Sequence, residues 1–354
     1  MRAAIKHICK ANLRHNLGVL SALAPQSKCI AVVKANAYGC EAEQVFDVLS
    51  SADLFAVAEI GEAVKLRQAG ADKAILLLEG VFEAEELDLA LREKFEPVIA
   101  TFQQLQWLLD FTSLFPRVWF KLDTGMGRLG FQADNADKAM RQLLIKYSQE
   151  QVVIMTHFAD ADSPERHQTL QQIKCFDAFA ARYPRCQQSL SGSAAILAYP
   201  EAHRDYIRPG IALYGASPFA GHCGQDHDLK PVMSLKTRVL SVKPFKKDEP
   251  IGYGQTYRLP KDGLIAVCEI GYADGYSRFI PSGTPILINA AEYPLVGRVA
   301  MDMITVLVDE KVSVGDEVIC WGEDLPIERI CTAAQTIPHQ LLTTVTERPR
   351  KVVE

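Results

Sequence analysis

Residues 30–39 read Ile30-Ala31-Val32-Val33-Lys34-Ala35-Asn36-Ala37-Tyr38-Gly39. Four apolar residues, two of them valine, predict a buried strand, and Lys34 stands where that strand should emerge into a loop. An ammonium is rarely buried without a partner, so this lysine either snorkels outward or is held there to react. Outward from this stretch, short apolar runs recur at 55–57, 74–78, 97–100, 118–122, 152–156, 189–191 and 206–208, eight with the first. Helical stripes separate them. Leu13, Leu17 and Leu20 recur at three and four residues; Ala136, Ala139, Met140 and Leu143 share one face, as do Ile173, Phe176, Phe179 and Ala180. Eight strand-helix repeats in about 200 residues predict an α/β fold: a closed (β/α)8 barrel of the TIM type, with its chemistry at the C-terminal strand ends. A doubly wound open sheet is the alternative architecture.

Residues 217–231 lose periodicity and collect proline, glycine and charge, which marks a loop or linker. Beyond Leu235 the pattern becomes all strand, at 235–242, 264–270, 285–288, 293–296, 303–308 and 317–320, with a short helix at 327–336 and a last strand at 342–345. The chain is therefore expected to divide into a barrel, residues 1–228, and a C-terminal mostly-β domain, residues 229–354.

Composition narrows the function. The 354 residues are 48% hydrophobic, and 38 Lys and Arg against 43 Asp and Glu leave a net charge of -5 without long runs of either sign, which disfavours nucleic acid as a partner. No signal-peptide pattern and no long apolar segment is present, so the expected location is cytoplasmic, away from membrane. Nine scattered cysteines without a Cys-x-x-Cys pair predict neither a disulfide framework nor a cysteine-rich zinc site, and no metal centre is expected.

Several polar residues fall at the ends of predicted barrel strands. Lys34 and Tyr38 follow the first strand, Lys121 the fifth, His157 the sixth and Ser193 the seventh, while Arg208, Gly210 and Ile211 follow the eighth. Taken singly, His157 reads equally well as a core histidine, and Arg128, among glycines at 125, 127 and 130, as a surface loop arginine. Loops after strands seven and eight of barrels often bind phosphate through backbone amides. A phosphate there and a lysine on strand one suggest pyridoxal phosphate, which lowers the cost of a carbanion at the α-carbon of an amino acid. Arg208 sharpens this. A guanidinium facing the pyridine nitrogen disfavours a second positive charge and weakens the electron sink, which suits a reaction that returns the proton quickly.

The segments 30–39, 121–130, 156–162, 208–215, 252–257, 270–276 and 297–303, in that order and over nearly the whole chain, resemble alanine racemase. The resemblance implies a pyridoxal 5'-phosphate enzyme acting as a head-to-tail homodimer with shared active sites, which interconverts L- and D-alanine and supplies D-alanine for peptidoglycan. By that likeness Lys34 holds the cofactor and is the base on one face of the substrate, and Tyr253 of the partner subunit acts on the other. Tyr38, His157, Ser193, Arg208, Gly210 and Ile211 resemble cofactor contacts, and Arg128 and the Met301 backbone amide the substrate carboxylate contacts. Lys121, Tyr272, Arg278 and Asp302 resemble supporting residues, Lys121 being carbamylated in some members. A tyrosine begins near a pKa of about 10, too high for an efficient base. The likeness supplies a chain from Tyr253 through His157 to Arg208; without it, Tyr253 would read as β-domain packing.

The chain also departs from the pattern. Cys40-Glu41 stands where the family often has His-Gly, Ala300 where some members have cysteine, and Thr346-Glu347-Arg348-Pro349 where some carry a phosphate-binding tyrosine just before Arg-Val-Pro. A racemase of serine or broader range, a basic amino-acid decarboxylase of the same plan, and a non-catalytic cofactor carrier are the competing readings. The Tyr253 segment, the Arg128–Met301 pair and the β domain favour racemisation.

Overall fold

The computed structural model describes residues 2–354. Its first strand, β1 (Ile5–Ile8), precedes the barrel, which is built from β2 (Lys28–Val32), β3 (Leu54–Val57), β4 (Ile75–Leu77), β5 (Phe95–Ile99), β6 (Val118–Lys121), β7 (Val152–Met155), β8 (Gln187–Ser189) and β9 (Tyr206–Ile207). These eight strands pair in sequence order, all parallel, and β9 closes on β2 through Lys28 opposite Tyr206 and Cys29 opposite Ile207. The closed barrel expected from the eight apolar runs is therefore present, and the open sheet is not. Most of its strands are buried on both faces, which is why they read as continuous apolar runs.

The second domain carries β10 (Met233–Phe245), β11 (Pro250–Ile251), β12 (Tyr257–Arg258), β13 (Gly263–Cys268), β14 (Pro285–Ile288), β15 (Ala291–Pro294), β16 (Ile304–Val308), β17 (Glu317–Trp321) and β18 (Arg350–Val353). Its main sheet runs β15-β14-β17-β10-β1-β18, with β13 bridging β10 and β16, and β11 pairs with β12 alone. Ile5–Ile8, which the expected division assigns to the barrel, thus lies in this sheet between β10 and β18. The expected strand at 342–345 is replaced by helix Pro338–Thr343 with proline in its first turn, and the last strand comes later, at Arg350–Val353. Proline at a helix start loses no hydrogen bond, whereas within a central strand it would. That helix lies beside the turn carrying Lys34, and a Cβ on Gly39 would meet the carbonyl oxygen of Leu342 at 2.5 Å. Among the described residues no helix is long and apolar enough to cross a membrane.

Candidate active site

The barrel strands deliver polar side chains to one mouth. Lys34 follows β2, Lys121 ends β6, His157 follows β7, Ser193 follows β8 and Arg208 follows β9, all at C-terminal strand ends. Residues Lys34–Tyr38 form one tight turn rather than an open loop. Ala35, Asn36, Ala37 and Tyr38 have φ of 51°, 54°, 54° and 54°, a left-handed conformation that costs residues with a Cβ roughly 1–2 kcal/mol each. Both ends are held. Glu62 accepts from the N–H of Ala35 at 2.6 Å and of Ala58 at 2.9 Å, and Asn36 Oδ1 accepts from the N–H of Ala42 at 2.8 Å.

This turn carries Tyr38 to the loops after β8 and β9. Its ring stacks on Tyr214 at 4.6 Å, and Tyr214 Oη donates to the carbonyl of Val32 at 2.8 Å, tying strand end and turn together. Tyr38 Oη lies so close to Gly210 that a Cβ there would sit 2.6 Å away. Ser193 Oγ accepts from the N–H of Gly210 at 2.9 Å and of Ala212 at 3.2 Å, and Ile211 opens the short helical turn Ile211–Tyr214. Burial pushes the Tyr38 hydroxyl up to about 12, so it stays protonated and able to donate. Tyr38, Ser193, Gly210 and Ile211 therefore form a compact cradle suited to an oxyanion.

His339, absent from the sequence reading, leans over the same tyrosine, its ring 5.7 Å from that of Tyr38. Its Nδ1 is buried without a hydrogen-bond partner among the described residues. Glu347, by contrast, is exposed and pairs with Lys351.

Positive charge dominates the rest of the mouth. Arg208 is buried; Nη1 donates to Ser189 Oγ at 2.5 Å and Nη2 to the carbonyls of Thr156 at 2.6 Å and Leu190 at 3.3 Å. Burial lowers it to about 10, which leaves it protonated at neutral pH. No hydrogen bond joins it to His157 among the described residues, so that link of the expected chain is not made directly. His157 rests on Gly192, where a Cβ would lie 3.2 Å from its Cε1. Burial, then the charges of Arg208, Lys121, Arg128 and Lys34, push it down to about 3, and the ring is neutral at physiological pH. Lys121 is pushed down to about 8 by burial and then by Arg208 and Arg128. Arg128 is exposed on its glycine-rich loop, whose start is shaped by Asp123 Oδ1 accepting from the N–H of Gly125 and Gly127 at 3.0 and 3.1 Å.

A second group of residues lies apart, in the β domain. Tyr253 stands on a short turn after Gly252 and is 66% exposed. The N–H groups of Tyr272 and Ala273 donate to the carbonyls of Ala300 and Met301, both at 3.0 Å, placing Tyr272 beside Met301. Gly271 permits that approach, since a Cβ would lie 2.4 Å from both carbonyl oxygens. Arg278 donates to the carbonyl of Val299 at 2.6 Å with its guanidinium 5.7 Å from the Tyr272 ring centre. Asp302 accepts from Arg348 at 2.5 Å, and Arg2 bridges the Asp302 carbonyl at 3.0 Å and Asp274 at 2.9 Å. Among the described residues, no hydrogen bond or aromatic contact connects Tyr253, Tyr272, Arg278 or Met301 with Lys34, Tyr38, His157 or Arg208. The sequence-derived set is thus two groups in one chain.

Both regions match one known family. Residues 8–218 match the model described as alanine racemase, N-terminal domain, and residues 232–353 that described as alanine racemase, C-terminal domain. The chain belongs to the alanine racemase family. The alanine racemase of Yersinia pestis is 45% identical over 352 residues, 98% of each chain. The solved alanine racemase of Acinetobacter baumannii has a TM-score of 0.96 at 35% identity, and that of Bartonella henselae, with covalently bound pyridoxal phosphate, 0.91 at 28%; all chains are covered to 100%. Against that family pattern, His339 and the left-handed turn are what the sequence reading missed. A histidine on a six-residue helix gives no local signal, but Asn36, a residue tolerant of left-handed backbone, is a weak one for the turn.

Proposed function

We propose that this chain interconverts L- and D-alanine with pyridoxal 5'-phosphate, as a homodimer in which each barrel mouth is completed by the partner's β domain. The observation that carries this reading is the split arrangement: Lys34 beside an oxyanion cradle in the barrel, and exposed Tyr253 and Met301 in the β domain, with no hydrogen bond or aromatic contact to that cradle among the described residues. The residues fit the cofactor. The Gly210 position has no room for a Cβ beneath Tyr38 Oη, and the buried Nδ1 of His339 lacks a partner among the described residues beside the same hydroxyl-bearing ring. Tyr38, Ser193, Gly210, Ile211 and His339 would hold its phosphate, Lys34 its aldehyde carbon, and Arg208 its ring nitrogen.

When bound, the cofactor supplies a sink for the electron pair left at the α-carbon of alanine. The protein supplies two proton positions. Inversion requires removal from one face and delivery to the other, and one fixed group does not reach both, so Lys34 Nζ serves one face and the partner's Tyr253 Oη the opposite one. Arg128 and the partner's Met301 N–H hold the substrate carboxylate; neutral His157 lies near Arg208 without adding a further cation to Arg208, Lys121, Arg128 and Lys34. Arg208, protonated, would disfavour a second positive charge on a ring nitrogen held beside it, which would suit a reaction that returns the proton promptly. Tyr272 and Arg278 border the substrate's way in, and Asp302 braces the Met301 loop through Arg348.

Lys121 has a further part in this reading. An amine lowered to about 8 in a cluster of cations keeps a neutral fraction of roughly a tenth to a fifth near physiological pH, and that fraction can add to carbon dioxide, losing one proton to become an anionic carbamate that orients Arg128. Protein incubated with 13C-bicarbonate is expected to show a carbamate carbon signal that disappears in Lys121→Ala; an unchanged signal in that variant would assign it elsewhere.

The nine free cysteines, six of them buried, support a reducing, cytoplasmic setting, where D-alanine would feed peptidoglycan synthesis. The direct test is chiral chromatography of L-alanine after incubation with cofactor-loaded protein. Nearly equal amounts of both enantiomers are expected at equilibrium, and L-alanine left unchanged would overturn the reading.

A further inference from the structure

Glu41 has a backbone conformation that its side chain must offset. Its φ is 65°, left-handed, where glycine sits without penalty and glutamate does not. It is also only 6% exposed, and carboxylates are rarely buried unless paired. Two ammoniums pair with it. Lys6 Nζ donates to Oε1 at 2.5 Å and Lys351 Nζ to Oε2 at 2.9 Å. Lys6 is 1% exposed and donates also to the carbonyl of Gly39 at 3.3 Å. Burial pushes the Glu41 carboxyl up, but the hydrogen bonds from Lys351 and Lys6 outweigh it and hold it below its ordinary value.

The placement of these three residues links two parts of the fold. Lys6 and Lys351 are register partners on β1 and β18, in the sheet of the β domain. Glu41 and Gly39 lie at the exit of the left-handed turn Ala35–Tyr38. Glu62 holds the entrance of that turn, and at its exit the carboxylate and its lysines, with Lys6 also on the Gly39 carbonyl, add to the Asn36–Ala42 hydrogen bond. Four consecutive residues in a costly conformation stay there only while the surroundings over-determine them.

We propose that Glu41 is a positioning residue for cofactor retention: by bridging Lys6 and Lys351 it keeps the left-handed turn wound, so that Lys34 and Tyr38 are presented together to the cradle. The inference rests on the reading above that these two residues hold the cofactor. Glu41 acts through the turn and not on the reacting atoms. Removing its charge leaves Lys6 as a buried ammonium without a counter-ion, and that charge is relieved by water entering between β1 and the turn exit.

The test compares cofactor-loaded wild type, Glu41→Gln, Glu41→Asp and Lys351→Met after rapid desalting, following loss of the visible band of lysine-linked pyridoxal phosphate, the melting temperature, and kcat at saturating cofactor. Cofactor loss is expected to be about 10–100 times faster in Glu41→Gln, the effect of relaxing one or two left-handed residues, while kcat at saturation stays within about threefold. Glu41→Asp, which keeps the charge but reaches one lysine only, should fall between. A Glu41→Gln protein that melts lower yet keeps its cofactor as long as wild type would overturn the proposal and make Glu41 a structural tie. If Glu41→Gln does not fold, Lys351→Met at the partly exposed end of the bridge decides: faster loss supports the proposal and wild-type retention overturns it. A wild type without the lysine-linked band would instead defeat the cofactor reading itself.

Discussion

Lys34→Ala is expected to remove the lysine-linked band of the cofactor and to lower kcat for racemisation by at least about 10⁴-fold, because one substitution deletes both a covalent anchor and a proton-transfer group. Lys34 is half-buried at the start of the left-handed turn, and no hydrogen bond holds its ammonium among the described residues. Its loss therefore breaks no structural tie, and the protein should still fold with its barrel intact. Pyridoxal phosphate should still enter the cradle, since Tyr38, Ser193 and Gly210 are untouched, but it should leave on dialysis. Absorbance spectra before and after dialysis, together with a coupled assay for D-alanine, check this. A surviving lysine-linked band would assign the attachment to another lysine, Lys121 being the other lysine placed at the same mouth.

Tyr253→Phe should behave in the opposite way: cofactor retained, with racemisation reduced about 10²–10⁴-fold in both directions. The side chain is exposed in the single chain and makes no hydrogen bond there among the described residues, so loss of its hydroxyl has little to destabilise. Exchange of the α-proton on the Lys34 face should survive while inversion fails. The two variants also test the shared site. When they are mixed under conditions that let subunits exchange, half of the dimers are hybrids, and each hybrid holds one site with both Lys34 and Tyr253 intact, so activity should return to about a quarter of wild type. Mixed variants that remain as inactive as either parent would place both groups within one chain and remove the dimer from the account.

Much of this architecture was legible because the chemistry and the local pattern agree. Barrel strands buried on both faces leave apolar runs such as Val152–Met155, and polar residues at the ends of five of the eight mark the barrel's chemical end. Legibility failed where long-range pairing overrides local pattern. Ile5–Ile8 is a four-residue strand containing Lys6, and its buried ammonium is explained only by Glu41, a residue 35 positions away. In place of the strand expected at 342–345, Pro338 opens a helix, and that helix brings His339 onto Tyr38. Two of the four residues of the left-handed turn are alanine, which favours ordinary helix, so its hand rests on Glu62 and the Glu41 clamp more than on its own residues. The expected hydrogen-bonded chain through His157 failed for a similar reason: the hydrogen bonds that Arg208 makes within the described residues go to Ser189, Thr156 and Leu190, and none to His157.

The measurement that bears most directly on two-sided proton transfer is incubation of cofactor-loaded protein with L-alanine in deuterium oxide, reading α-deuteration and configuration together. Two proton positions on opposite faces predict that D-alanine appears carrying deuterium at the α-carbon from the earliest time points. D-alanine that forms with its original α-proton retained throughout would contradict separate groups on the two faces, and α-exchange into L-alanine without any inversion would remove the partner's Tyr253 from the chemistry.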